Sequence, residues 1–185
     1  YRRPVSNLLQ WRSAVRVRVP AMTSEEMESY VANQLLYGFW PGISTAGGGT
    51  EPGYAHMHRY FEDAALLARD RPLFARYLPV FDALNRAGWE PVTHARADAP
   101  EVRVERFGRG QDTLLAVANT SAAAREVTLS LDRAWWEQTQ GRSEAIAFRS
   151  ILTGDTMRAE AAGAALSCRL SLPAHRTWVL QTEKP

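Results

Sequence analysis

Leu35-Leu36-Tyr37-Gly38-Phe39-Trp40-Pro41-Gly42-Ile43-Ser44 is the stretch on which the fold turns. Just upstream, Thr23 stands three residues before Glu26, the spacing of a capping box that satisfies the orphan N–H groups of a new helix. This predicts a helix from about Ser24 to Leu36, with Met27, Tyr30, Val31 and Leu35 sharing one apolar face. The apolar run from Leu36 to Trp40, closed by Pro41-Gly42, predicts a buried parallel strand that delivers its C-terminal end to a loop.

Downstream, Ser44 to Gly53 holds Gly47-Gly48-Gly49 and Pro52 and reads as an exposed connection. It lacks the Gly-Lys-Ser/Thr ending of a phosphate-binding loop, so a nucleotide site is not expected. From Glu62 to Ala87 the pattern is helical, in two pieces around Asp70-Arg71-Pro72 and kinked at Pro79, with Phe74, Tyr77, Leu78, Phe81 and Leu84 on one face. Gly88 is expected to form a left-handed C-cap, Trp89 to pack after it, and Pro91 to stop the helix.

Near Trp89 the apolar period changes from helical to two. Val102 and Val104 alternate with Arg103 and Glu105, and Val127, Leu129 and Leu131 with Thr128, Ser130 and Asp132. Leu115 and Val117 lead to Asn119-Thr120-Ser121, and further strands are expected over Ile146–Leu152, Leu166–Leu172 and Thr177–Gln181, each half-buried. Ala159 to Ala165 reads as an alanine-rich loop. Turns about every ten residues predict an antiparallel β-sandwich. The fold class is therefore α/β plus all-β, with residues 1–96 forming terminal strand–helix units and residues 97–185 the sandwich.

These residues carry a resemblance. Tyr37-Gly38-Phe39-Trp40-Pro41-Gly42, Asp70-Arg71-Pro72-Leu73-Phe74, Tyr77-Leu78-Pro79 and Gly88-Trp89-Glu90-Pro91-Val92 resemble the last strand and last helix of a glycoside hydrolase (β/α)8 barrel. Val104-Glu105-Arg106-Phe107-Gly108, Leu115-Ala116-Val117-Ala118-Asn119-Thr120, Ile151-Leu152-Thr153-Gly154-Asp155 and Leu172-Pro173-Ala174-His175-Arg176 are similar to the terminal sandwich of α-amylase-like and α-galactosidase-like enzymes. The resemblance implies a C-terminal piece of a larger glycosidase, whose partners are a carbohydrate substrate and the remainder of the barrel. Length agrees: the chain has 185 residues, whereas a whole barrel needs about 250.

Composition excludes other classes. The net charge is +2, and Arg16 and Arg18, alternating with Val15, Val17 and Val19, read as a solvated strand face, so no nucleic-acid partner is expected. No apolar run approaches 18 residues, so no membrane span is expected either. The single cysteine, Cys168, sits at an inward strand position and reads as a small core residue.

A sugar site pairs aromatic ring faces with polar partners for hydroxyls. Trp40, Glu51, Tyr54, His56 and His58 cluster around the loop that the resemblance places at the catalytic face of the barrel, with Tyr60 close behind, and they are the candidate substrate-binding residues. For Trp40 the alternative is a core or loop-anchoring role. No catalytic residue is assigned, because glycoside hydrolysis takes two carboxyl groups, which barrel glycosidases carry on middle strands. His56-Met57-His58 lacks a third ligand for zinc, so neither metal nor cofactor is expected. Trp135-Trp136 suits an accessory platform, a core plug or an interface. His94 and His175 fall in turns and need no function. A non-catalytic carbohydrate-binding or interaction module is the second reading of the whole chain.

Overall fold

The structure, a computed structural model, describes residues 22–41, 63–141 and 144–183. Helix α1 (Ser24–Tyr37) begins on the expected capping box: Glu26 N–H donates to the Thr23 hydroxyl at 3.2 Å, and Thr23 N–H donates to the Glu26 carboxylate at 2.7 Å. Leu36 and Tyr37 belong to this helix rather than to a strand, and of the described residues 38–41 that follow it Trp40 alone keeps a β-bridge. Helical period keeps Leu35 and Leu36 buried, and Gly38 sets the end by turning left-handed at φ 61° and capping the Gln34 and Leu35 carbonyls. A side chain at 38 would also collide with Phe107, since its Cβ would lie 2.8 Å from the ring.

Helix α2 (Ala64–Ala87) is capped by the Asp63 carboxylate, which accepts from Ala65 and Leu66 N–H. It runs unbroken through Pro72 and Pro79, against the expected division at 70–72. Both prolines are exposed, as are Ala68 and Ala75 four residues before them, so water reaches the carbonyls deprived of a donor. Gly88 has positive φ but extended ψ (78°, 138°), so it departs from the left-handed cap expected and leads straight into a strand.

The two helices lie side by side in the same sense. Met22 meets Arg69, Glu28 meets Arg76 and Tyr77, and Gly38 meets Asn85, so contacts advance together along both helices. The chain leaves α1 beside the end of α2 and re-enters at its start. Those two points are separated by the length of α2, about 36 Å at 1.5 Å per residue.

The rest is one nine-stranded antiparallel sheet: β1 (Trp89–Glu90), β2 (Ala95–Ala97), β3 (Val102–Phe107), β4 (Leu114–Asn119), β5 (Arg125–Asp132), β6 (Ala145–Ser150), β7 (Thr156–Ala162), β8 (Ala165–Leu172) and β9 (Thr177–Thr182). Their order is β1-β3-β4-β9-β6-β7-β8-β5-β2. The sheet curls on itself into a half-barrel, bringing β2 opposite β3 across a cleft, where two separate packed sheets were expected. Its first residues, in β1 and β2, come from before residue 97. The alanine-rich segment is not a loop: Ala159 is fully buried within β7, and only Gly163-Ala164 makes the turn to β8.

Two cores share this sheet. Inside the curl, Leu115, Val117, Val127, Leu129, Leu131, Ile146, Phe148, Leu166, Leu170 and Leu180 pack together, with Cys168 among them as expected. On the outside, Phe107, Leu114, Ala116, Ala118 and Val179 meet Met27, Val31 and Leu35 of α1 and Val80, Phe81 and Leu84 of α2. Strand β4 is therefore buried on both faces rather than half-buried, which explains its unbroken run Leu-Leu-Ala-Val-Ala. A third helix, α3 (Arg133–Gln140), closes one end of the curl, and Trp136, fully buried, is its plug: the indole meets Phe148 edge-on at 5.6 Å and donates to the His94 carbonyl at 3.0 Å.

Candidate functional site

Trp40 stands where the chain leaves α1, one ring face against Phe81 with centroids 5.8 Å apart and planes 29° from parallel. The side chain is half-buried, so part of the indole remains open beside the start of the 42–62 segment. Glu51, Tyr54, His56, His58 and Tyr60, and the Val15–Val19 pattern, lie outside the described residues. Of the candidate sugar-binding set, the structure places Trp40.

A polar cluster that sequence reasoning missed lies at the seam of helices and sheet. The Glu28 carboxylate accepts from the Tyr77 hydroxyl at 2.9 Å, from Arg176 at 3.2 Å and from Arg76. Arg176 also donates to the Ser29 hydroxyl at 3.0 Å, and the Arg76 guanidinium lies over the Tyr77 ring at 4.8 Å. Burial, reinforced by the Glu28 charge, pushes the Tyr77 hydroxyl up to about 12, so it stays a donor throughout the physiological range. Positions 28, 76 and 176 converge only because α1, α2 and the turn before β9 dock together. The one signal was the Leu172-Pro173-Ala174-His175-Arg176 motif, whose last residue proves to be a contact of this cluster.

Among the concavities of the described surface, three bear on the site. A shallow one of about 550 Å³ is lined by His94, Arg96, Ser130 and Asp132 together with small residues of β7 and β8. There the His94 ring stacks flat on Trp135 at 4.3 Å, and its Nδ1 lies 3.3 Å from the Asp132 carboxylate. Ser130 makes no hydrogen bond to His94 among the described contacts, so no nucleophile–base pair forms. His94 departs from an ordinary turn residue, because its φ is 49° and its carbonyl serves both Trp136 and Asp132. The second, about 370 Å³, is the cleft between β2 and β3, bearing Arg96, Arg103 and Glu105. The third, about 190 Å³, adjoins the Glu28 cluster.

Each concavity carries one carboxylate: Asp132, Glu105 and Glu28 respectively. Glu105 is held by the Trp89 indole N–H at 2.8 Å, and Glu28 by two guanidinium groups. Hydrolysis of a glycosidic bond by acid and nucleophile takes two carboxyl groups across one site, roughly 5.5 Å apart for retention. Among the described residues no group of histidine, cysteine and carboxylate side chains is placed to hold a metal ion, and no helix is long and apolar enough to cross a membrane.

No protein-family model matches the chain, and no curated protein matches it. Among the solved structures that it resembles in shape are glycoside hydrolases. An α-amylase from Anoxybacillus is 14% identical, with 63% of this chain and 24% of that one covered and a TM-score of 0.41. A GH27 β-L-arabinopyranosidase from Geobacillus stearothermophilus, solved with arabinose, is 13% identical over 89% of this chain and 32% of that one, with a TM-score of 0.45. A maltogenic α-amylase from Thermotoga neapolitana is 10% identical over 96% of this chain and 38% of that one, with a TM-score of 0.41. The chain spans between about a quarter and two-fifths of the length of these enzymes.

Proposed function

We propose that this chain is the C-terminal portion of a barrel glycoside hydrolase. Residues 1–96 supply the last strand–helix unit of the barrel, and residues 97–185 the β domain that backs it. Glu51, Tyr54, His56 and His58, which precede α2, form one wall of the sugar pocket, Trp40 anchors the chain where it leaves α1, and the acid and the nucleophile come from strands outside this chain.

The observation that carries this reading is the like sense of α1 and α2. Consecutive helices joined by a short turn run in opposite senses, whereas helices flanking a parallel strand run alike, because the chain must return along a helix length between them. A return of about 36 Å is the reach of about eleven extended residues. Loops that follow barrel strands build active sites and lead into the next helix, so that pocket belongs to the start of α2, whereas Trp40, stacked on Phe81 beside the end of α2, stands at the foot of the return.

The test uses the protein made from the complete reading frame. It is expected to hydrolyse aryl glycosides, and Tyr54→Ala is expected to lower kcat/KM by about 1–3 kcal/mol with a smaller change in melting temperature. Unchanged turnover per folded molecule, alongside a large stability loss, would refute the platform role. A complete reading frame that encodes no upstream strand–helix units would refute the enzyme reading itself and leave the non-catalytic module.

A further inference from the structure

We propose that the cleft between β2 and β3 is a docking site for an extended, acidic segment of a partner protein, which adds to the open edge of β3 as a further strand. The inference goes beyond the glycosidase reading and does not rest on the sugar pocket.

The first observation is the backbone polarity that the curl of the sheet leaves over. β2 and β3 face one another across a cleft of about 370 Å³, yet they are not hydrogen-bonded neighbours in the sheet. β1 covers only Arg106 and Phe107 of β3, so Val102 to Glu105 have no paired strand on that side among the described residues. Ladder parity fixes which groups are open. Thr120 N–H donates to the Glu101 carbonyl, so residues 101, 103 and 105 turn to β4, and Val104 turns its N–H and carbonyl to the cleft. On the other wall Asp98 N–H donates to the Thr128 carbonyl and the His94 carbonyl accepts from Asp132, so residues 94, 96 and 98 serve β5, and Ala97 faces the cleft. An open edge of this kind is a template for another chain, and strand addition satisfies it through the main chain.

The second observation is the pairing of the side chains around the cleft. Ala95, Ala97, Val102 and Val104 pack with the inner core, while Arg96, Arg103 and Glu105 alternate with them and face outward. An added strand therefore carries small apolar side chains inward and polar ones outward. Charge selects the polar ones. The carboxylates near the cleft are already engaged: Glu105 by the Trp89 indole N–H at 2.8 Å, Asp98 by the Thr128 N–H at 2.9 Å, and Glu101 by Arg125 at 3.9 Å. Arg96 and Arg103 are exposed and have no ion-pair partner among the described residues. Carboxylates at alternate positions of the added strand answer both guanidinium groups across the strands. Valine alternating with arginine, the pattern of this chain's own Val15 to Val19, would set like charges side by side.

The experiment titrates the full chain with an end-blocked Val-Glu-Val-Glu-Val peptide, following the backbone amide shifts of Ala97, Val102 and Val104 by NMR. Two control peptides accompany it: Val-Arg-Val-Arg-Val, which reverses the charge, and the acidic peptide N-methylated along its backbone, which keeps the charge and removes the main-chain donors. The acidic peptide is expected to shift these amides saturably, with each control weaker by about 10-fold or more. In the double variant Arg96→Glu, Arg103→Glu, both positions exposed, the order of the acidic and basic peptides is expected to reverse. No saturation by the acidic peptide would overturn the proposal. Equal binding of the N-methylated peptide would do the same, by showing charge attraction without strand pairing, as would an unchanged preference in the double variant. The protein made from the complete reading frame is expected to bind the acidic peptide equally. Loss of binding there would mean that the protein's own upstream residues fill the cleft, and would overturn the assignment to a partner. None of these outcomes depends on hydrolysis, so failure here and failure of the glycosidase reading are separable.

Discussion

Replacing Asn119 by aspartate keeps the shape of the side chain and exchanges one donor group for an acceptor. Asn119 is fully buried at the end of β4, and its amide nitrogen donates to the carbonyls of Ala123 at 2.8 Å, Pro173 at 3.1 Å and Leu172 at 3.2 Å. Its Oδ1 accepts from the Ser121 N–H at 3.0 Å and the Ser121 hydroxyl at 2.8 Å. One side chain thus ties the turn after β4 to the turn before β9. In Asn119→Asp an oxygen faces three carbonyl oxygens. If the acid ionises, a charge is buried beside three negative dipole ends; if it stays protonated, it serves one carbonyl and abandons the others at about 1–3 kcal/mol each. The expected loss at neutral pH is about 3–5 kcal/mol. The folded-state pKa of this carboxyl is raised above its unfolded value near 3.9. The ionisation penalty is therefore absent below the unfolded value and grows as pH rises toward the folded one. Urea unfolding followed by circular dichroism, with wild type and variant compared at neutral and acidic pH, measures both. A variant within about 0.5 kcal/mol of wild type at neutral pH, or a gap that does not narrow in acid, would refute the argument.

Two further predictions concern the seam and the plug. Tyr77→Phe is expected to cost about 1.5–3 kcal/mol at neutral pH, the worth of a hydrogen bond to a charged acceptor, read from the urea midpoint. Because the Tyr77 hydroxyl is raised from 10.0 to about 12, its contribution is present below pH 10 and lost as pH rises through 12. The variant should therefore lose less stability than wild type over that window, and parallel curves would exclude the coupling. Trp136→Ala is expected to lower stability by about 3–5 kcal/mol through the cavity left between α3 and Phe148, whereas Trp135→Ala, half-buried over His94, should cost less in the same thermal melts.

How far the sequence could be read differed by element. The start of α1 was legible because a capping box is local: Thr23 and Glu26 satisfy one another whatever packs nearby. Its end, expected near Leu36, falls at Tyr37, whereas the apolar run to Trp40, expected as a strand, opens inside the helix, because helices and buried strands share such runs and Gly38, pressed on Phe107, separates them. The exposure of Pro72 and Pro79, which lets α2 pass through both, depends on which face the sheet covers. Strands β3, β5, β8 and β9 were legible from alternation, whereas β7 was hidden by small residues that the curl of the sheet nonetheless buries. At the site, Trp40 was singled out by its neighbours in sequence, while Glu28, Arg76, Arg176 and Thr177 carried no local mark.

What the sequence determined by itself was whatever rests on interactions within a few residues: the cap of α1, the alternation of the main strands, the turns at Thr153-Gly154-Asp155 and Pro173-Ala174-His175, and the inward place of Cys168. Only the tertiary structure decided which faces are covered. Docking of the two helices on β4 and β9 buries a strand on both sides, curling joins the expected sandwich into one sheet, and residues 28, 76, 176 and 177 become neighbours around a cavity. The physical reason is that hydrophobic burial is non-directional. Periodicity states that an apolar face must be covered, while the partner that covers it, and the polar groups brought together at the rim of that contact, follow from the packing of distant segments.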